Sequence, residues 1–276
     1  MPHLAKGLSV PELPEVEVTR LRLEHELVGK VIDQVVVRAA RLRLSVPDGL
    51  GEPLQGRTVL SVGRRGKYLL IFCDGGCLII HLGMTGFLRL ITADTPPGVY
   101  DHLDLLFTDG PTLRLYDPRK FGTILWVEGN PLVHPLLAGI GPEPLTDSFG
   151  GEYLYEVSRS RRVTVKQFIM NSAVVAGVGN IYANEALFRA GIRPDRSAGT
   201  LDLQECCRLA QAIKEVLAES IEIGSSYRFT EETVAYHPLQ FSVYGRFGAT
   251  CLTCGEALEA IRLASRSTVF CPHCQQ

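Results

Sequence analysis

The sequence contains no run of about 18 uncharged apolar residues, and this excludes a membrane-spanning helix. Its first ten residues, MPHLAKGLSV, hold no apolar h-region, which excludes a secretory signal. Together these absences predict a cytoplasmic protein without a membrane partner. There is no charge excess either: 28 Lys and Arg stand against 30 Asp and Glu, a net charge of −2. With a pI near 6.4 the bulk signature of a nucleic-acid binder is missing, so any basic face has to be local. Internal repeats and low-complexity tracts are absent as well, so solenoids and biased linkers are excluded. What remains is a chain of 276 residues, 46% hydrophobic, long enough to bury two cores.

From residue 31 to 127 the apolar period is mostly two. The runs VIDQVVV, KYLLIFC, CLIIHL, LDLLF and TLRLY are separated by Gly, Asp and Pro, which predicts an antiparallel sandwich or barrel. One helix over residues 15–27, closed at Gly29, leads into it. Residues 129–151 are rich in Gly and Pro and mark an interdomain connection. Beyond them the period becomes helical over residues 163–170, 181–190 and 201–223, followed by a polar loop at 224–239. The fold class is therefore α+β and multidomain.

The eight cysteines fall into two kinds. Cys73, Cys77, Cys206 and Cys207 lie in apolar or helical patterns, where a free thiol acts as a small hydrophobe. Cys251, Cys254, Cys271 and Cys274 form two C-x2-C pairs 16 residues apart, the spacing of a ribbon that holds one structural Zn2+. Two disulfides are the alternative, which a reducing compartment disfavours.

Four features suit nucleic acid. Arg64, Arg65 and Lys67, with Arg159, Arg161, Arg162 and Lys166, could neutralise a phosphate track, although such clusters are often only solvated faces. In GVGNIYANE (177–185) glycines before a helix start allow close anion approach, or simply helix packing. HLGMTG (81–86) and DPRKFG (117–122) place Met84, Arg119 and Phe121 among turn formers; such groups can wedge into a base stack, or be core residues. Finally, Arg262 and Arg266 sit between the cysteine pairs, where a zinc hairpin would be a rigid mount for a phosphate-binding arginine.

With PELPEVE (11–17), RRGKYLL (64–70), GPEPL (141–145), GIRPDR (191–196) and VYGR (243–246), these motifs resemble the bacterial formamidopyrimidine-DNA glycosylases, one branch of a family that also includes endonuclease VIII. They occur in the family's order from Pro11 to the C-terminus. The resemblance implies an N-terminal catalytic β-sandwich domain (11–130), a connection (131–150), a helix-two-turn-helix DNA-binding domain (151–239) and a zinc finger (240–276). It implies a monomeric base-excision repair enzyme acting on double-stranded DNA. Such an enzyme removes an oxidised purine through a Schiff base on an N-terminal proline, then breaks the strand by β- and δ-elimination. Carried over residue by residue, Pro11 is the nucleophile and Glu12 handles protons at the sugar. Lys67 is the proton donor of β-elimination, and Arg266 holds the phosphate for δ-elimination. Met84, Arg119 and Phe121 fill the void left by the extruded base, Arg161 and Asn180 touch the DNA backbone, and Tyr100 does so in place of a histidine.

An α-amino group titrates near ~7.7–8.0, so a terminal proline is partly an unprotonated secondary amine at neutral pH. As written, however, Pro11 is acylated by Val10, and a tertiary amide cannot attack. Valine is what a GUG start codon gives when read as internal, so the expected native start is Val10, inserted as methionine and trimmed to expose Pro11. Two departures bear on substrate. Tyr100-Asp101-His102 replaces a His-Asp-His run, and residues 224–239 lack a Gly-Tyr-Phe run. Oxidised pyrimidines thus stand as an alternative substrate class, although PELPEVE rather than PEGPE favours purines. With the leader retained, the chain would be a catalytically silent binder of damaged DNA.

Overall fold

The structure, a computed structural model, describes residues 10–226 and 240–276. They form two compact units, one built by the chain up to Ala138 with residues 224–226, the other by Gly139–Ile223 and residues 240–276.

In the first unit α1 (Leu13–Leu27) carries Pro14 in its first turn, where a missing N–H costs nothing. The carboxylate of Glu15 accepts the Glu12 N–H at 2.8 Å, satisfying a donor that the helix leaves open. Val16, Leu23 and Leu27 make the buried stripe. After β1 (Ile32–Val37) and the single turn α2 (Gly51–Leu54) come β2 (Val59–Arg65), β3 (Tyr68–Cys73) and β4 (Gly76–His81). The unit continues with β5 (Phe87–Ile91), β6 (Asp101–Phe107), β7 (Thr112–Tyr116) and β8 (Thr123–Glu128). All pairings are antiparallel, giving sheets of order β1-β6-β7-β5 and β2-β3-β4-β8. Ile32, Leu103, Leu105 and Leu113 of one sheet share a core with Val62, Leu69, Ile71 and Ile80 of the other, so the expected sandwich is what forms. The runs read from periodicity cover β1, β3, β4, β6 and β7. Strands β2, β5 and β8 are additional; Ser, Gly and Arg interrupt the apolar pattern of β2 and Arg that of β5, whereas β8, TILWVE, carries an unbroken apolar run without alternation.

The outer face of β6 and β7 departs from the apolar-in, polar-out reading. Arg114 donates from Nε and one terminal nitrogen to the two oxygens of Asp104, at 2.7 Å each, and both side chains are buried. Arg38 adds a third bond to Asp104 at 2.6 Å, and Arg114 also donates to the Pro96 carbonyl at 3.1 Å. Burial opposes ionisation of Asp104, yet the hydrogen bonds from Arg114 and Arg38 outweigh it and hold the carboxyl below the usual range.

A 3-10 turn (Pro131–Val133) and α3 (Pro135–Ala138) end this unit, and α4 (Gly151–Ser158) opens the helical part of the second. There α5 (Val165–Ile169) is capped by Thr164, two turns follow, and α6 (Asn180–Ala190) ends at Gly191. The long α7 (Leu203–Ser226) buries Cys206, Leu209, Ile213, Val216, Leu217 and Ser220 at helical spacing. Two of the sequence readings change here. Residues 224–226 continue α7 rather than starting a loop, and Cys207 is exposed while Cys73, Cys77 and Cys206 are buried. The remainder of the predicted loop lies outside the described residues. The chain closes with the hairpin β9 (Glu259–Leu263) and β10 (Arg266–Phe270).

Candidate active site and zinc centre

Pro11 and Glu12 are both buried at the start of α1. The three carboxylates of PELPEVE divide their tasks. Glu12 follows the proline, Glu15 fixes the Glu12 backbone, and Glu17 reaches the second sheet, accepting Arg64 Nε at 2.7 Å and Arg20 Nε at 2.8 Å. Arg64 then donates to the Gly66 carbonyl at 2.9 Å, next to Lys67. Gly66 and Lys67 are the two loop residues of the β2–β3 hairpin, closed by the pair Arg65 and Tyr68. Gly66 has φ of 56° and Lys67 does not have a positive φ, the pattern of a type II′ turn, which calls for glycine at the first loop position. A chain of bonds thus runs from the helix start to the backbone that carries the half-buried lysine.

His81, at the end of β4, lies against Tyr68 with ring centroids 4.6 Å apart. Its Nδ1 accepts the Gly83 N–H at 3.0 Å, which requires the neutral ring. Burial first, then the charges of Lys67 and Arg43, push its pKa down to about 4. Beyond this bond stand the two projecting turns. Met84 is half-buried, Arg119 and Phe121 are exposed, and the Arg119 guanidinium lies 4.6 Å from the Phe121 ring centroid. Tyr100, also exposed, meets Tyr116 edge-on at 5.7 Å.

In the second unit Asn180 is the first residue of α6; its amide oxygen is buried and unpartnered among the described residues. Arg161 and Arg162 are exposed. Three more of the expected phosphate ligands are engaged. Arg159 donates to the Leu201 carbonyl at 2.6 Å and packs over Tyr155. Lys166 is 1% exposed. Arg64, in the first unit, is paired with Glu17 as described. These three are held in structural bonds, and for Lys166, which is buried, full pairing is what burying a cation demands.

The Sγ atoms of Cys251, Cys254, Cys271 and Cys274 all lie within 4.8 Å of one another. A tetrahedron with Zn–S near 2.3 Å needs sulfurs about 3.8 Å apart, so the cluster fits one Zn2+. The hairpin's own core is small: Val243, Leu258 and Val269 with Cys251 and Cys271. Its loop residues Ala264 and Ser265 both have positive φ, as in a type I′ turn, and Arg266 follows them exposed. Buried polar groups from α5 and α6 seat this element. Lys166 Nζ donates to the Ser267 carbonyl at 3.0 Å and to Thr268 Oγ1 at 2.8 Å. Asn184 accepts the Val269 N–H at 3.0 Å. Glu185 accepts the N–H groups of Ser242, Val243 and Tyr244 at 2.7, 2.9 and 2.8 Å. Sequence patterns alone assigned no role to Asn184 and Glu185, and they read Lys166 as part of a phosphate track rather than as a structural cation; a charged residue inside an apolar helical run was the available sign for Lys166 and Glu185.

Comparison with known proteins agrees with this layout. Residues 10–124 match the family model described as formamidopyrimidine-DNA glycosylase N-terminal domain. Residues 140–231 match that family's H2TH domain, and 248–276 a zinc finger found in FPG and IleRS. The formamidopyrimidine-DNA glycosylase of Geobacter metallireducens is 65% identical over 266 residues, 96% of this chain and 100% of its own. That of Pelobacter propionicus is 65% identical over 97% of this chain and 100% of its own. Among solved structures, Lactococcus lactis Fpg in complex with abasic-site DNA superposes with a TM-score of 0.88 at 36% identity, covering 96% of this chain and 100% of that one. MutM bound to DNA containing carbocyclic 8-oxo-G gives 0.87 at 35% identity, with the same coverage.

Proposed function

The chain belongs to the formamidopyrimidine-DNA glycosylase family, and from that premise we propose that it excises oxidised purines from duplex DNA and then cleaves the strand by β- and δ-elimination. The observation that carries this reading is the hydrogen-bonded path from Glu17, in the helix that opens with the buried Pro11–Glu12 pair, through Arg64 to the Gly66 carbonyl beside Lys67.

The Pro11 nitrogen, as a free secondary amine, attacks C1′ and loses its proton. The glycosidic bond breaks with its electron pair going to the base, which leaves protonated. Glu12, adjacent to the nucleophile, supplies the proton that lets the ring oxygen open, and an iminium forms between C1′ and the proline nitrogen. Water takes the C2′ proton, and the C2′–H electron pair enters the iminium to give an enamine. Those electrons then return to form the C2′–C3′ double bond and restore the iminium as the C3′–O bond breaks with its pair on the phosphate oxygen, which Lys67 protonates. Lysine suits this role because it is normally protonated at neutral pH. Arg266 holds a phosphate for the second elimination at C5′. Met84, Arg119 and Phe121 occupy the vacated stack, while Arg161, Asn180 and the uncharged Tyr100 contact the backbone. Zn2+ supplies no chemistry; four thiolates around it fix the hairpin on which Arg266 rides.

The nucleophile must be unacylated, so the active form is one whose chain starts at Pro11. We expect borohydride to trap a covalent adduct between that form and a duplex containing an abasic site, and mass analysis to place the adduct on Pro11. A chain retaining residues 1–10 should give only a salt-sensitive gel shift. Adduct formation by the chain with Val10 still attached would overturn the assignment. Running the same assay with 8-oxoguanine and with an oxidised pyrimidine reads the base range, which the divergent 224–239 sequence bears on. The proposed setting is the bacterial cytoplasm, with the protein acting as a monomer.

A further inference from the structure

Asp117 has no exposed surface, and every polar group it owns is engaged with a segment that carries a proposed DNA-contact residue or with its own loop. Its N–H donates to the Tyr100 carbonyl at 2.9 Å, and its carbonyl accepts His102 Nε2 at 2.8 Å. One carboxylate oxygen accepts the Thr85 hydroxyl at 2.9 Å and the Arg119 N–H at 3.3 Å; the other accepts the Gly122 N–H at 2.8 Å. Thr85 adjoins Met84, and Gly122 adjoins Phe121. The two turns also touch through backbone at Gly83, whose φ is 70°. A Cβ there would lie 2.6 Å from the Phe121 carbonyl oxygen and 2.8 Å from the Gly122 nitrogen. Lys120 meanwhile holds φ of 55°, a left-handed conformation that costs a non-glycine residue energy and persists only where the surroundings enforce it.

Resting on the wedge role given above to Met84, Arg119 and Phe121, we propose that Asp117 and Thr85 are positioning residues that lock the two turns into one preorganised wedge. The three side chains therefore enter the base stack as a unit rather than independently. The physical reason is entropic. A long side chain on a separate turn must be immobilised when it inserts, whereas a turn already fixed by buried hydrogen bonds has paid that cost on folding. Asp117 is suited to the task because a carboxylate can accept several N–H and O–H groups at once.

Thr85→Val removes the hydroxyl at nearly constant volume, and Asp117→Asn turns one acceptor oxygen into a donor facing an N–H. The probe is a duplex with 2-aminopurine opposite a tetrahydrofuran abasic analogue, in which inserted side chains unstack the fluorophore. Alongside it runs borohydride trapping on a true abasic site, in duplex and in single strand. Loss of one such bond should lower duplex trapping about fivefold, and the fluorescence rise with it, while single-strand trapping, which needs no wedge, stays within about twofold. In a Met84→Ala background Thr85→Val should add little further loss. Equal losses on both substrates, an unchanged duplex rate, or full additivity with Met84→Ala would each overturn the proposal. If Thr85→Val melts unfolded, Asp117→Asn carries the same comparison. Should the unaltered protein bind the analogue with a fluorescence rise yet trap nothing, the nucleophile assignment fails while the wedge remains tested by fluorescence alone.

Discussion

At the scale of single residues, buried polar side chains do most of what the sequence leaves unsaid. His81 is an example. Its sequence setting, the end of an apolar strand, suggests nothing beyond a core residue, yet its ring accepts the N–H that shapes the Met84 turn. Burial with Lys67 and Arg43 nearby depresses its pKa to about 4, against about 6.5 when unfolded. Between those values the unfolded chain binds more protons than the folded one, so stability rises with pH across this window, is full above about 6.5 and is lost as pH falls through about 4. The span corresponds to about 3 kcal/mol. His81→Gln, which keeps an acceptor but does not titrate, should show a flatter midpoint-versus-pH curve between pH 4 and 6.5 in urea unfolding. A variant curve parallel to that of the unaltered protein would refute this. Asp117, Glu17 and Glu185 share the logic: each carboxylate is a hub for several donors, and each could be located only once the chain had folded around it.

At the scale of elements, the zinc hairpin shows two kinds of support acting on different parts. The thiolates close its base, whereas Lys166, Asn184 and Glu185 seat β10 and the segment before the first cysteine on α5 and α6. A two-stranded hairpin of five-residue strands with so small a core is not stable by itself. Chelating the metal should therefore unfold it and weaken DNA affinity with no change in the β-sandwich spectrum. Lys166→Met should act otherwise. It leaves the Ser267 carbonyl and Thr268 hydroxyl short of a donor, which costs about 1–3 kcal/mol, and should lower the melting temperature without altering zinc stoichiometry. Zinc loss from that variant, measured with a chromogenic chelator, would show that the seat and the metal site are one unit after all. The elements themselves were largely legible. α1, the zinc ribbon and five strands follow from period and spacing, while β2 and β5 are held by pairing with neighbours that make up for their mixed composition, and β8, without alternation, takes its place from pairing with β4.

At the scale of the whole molecule, a net charge of −2 has to coexist with binding a polyanion. Among the basic groups read from the sequence, Arg64, Arg159 and Lys166 are consumed by structural bonds while Arg119, Arg161, Arg162, Arg262 and Arg266 stand exposed. Each phosphate contact contributes about −0.9 to the slope of log K against log salt on duplex DNA. Arg161→Ala should weaken binding to all duplexes alike and reduce that slope by about 1, measured by fluorescence anisotropy between 50 and 200 mM salt. A slope left unchanged would remove Arg161 from the phosphate contacts.

By itself the sequence determined the fold class, the metal site and the family, because these rest on periodicity, on cysteine spacing and on motifs contiguous along the chain. Tertiary structure alone decided which charges are free to meet DNA and which are spent. It also decided that Asp117 gathers two separate turns, and that α5 and α6 carry the hairpin. The physical reason is that a charged side chain's role depends on its desolvation and on partners that lie tens of residues away in sequence, and a local pattern contains neither.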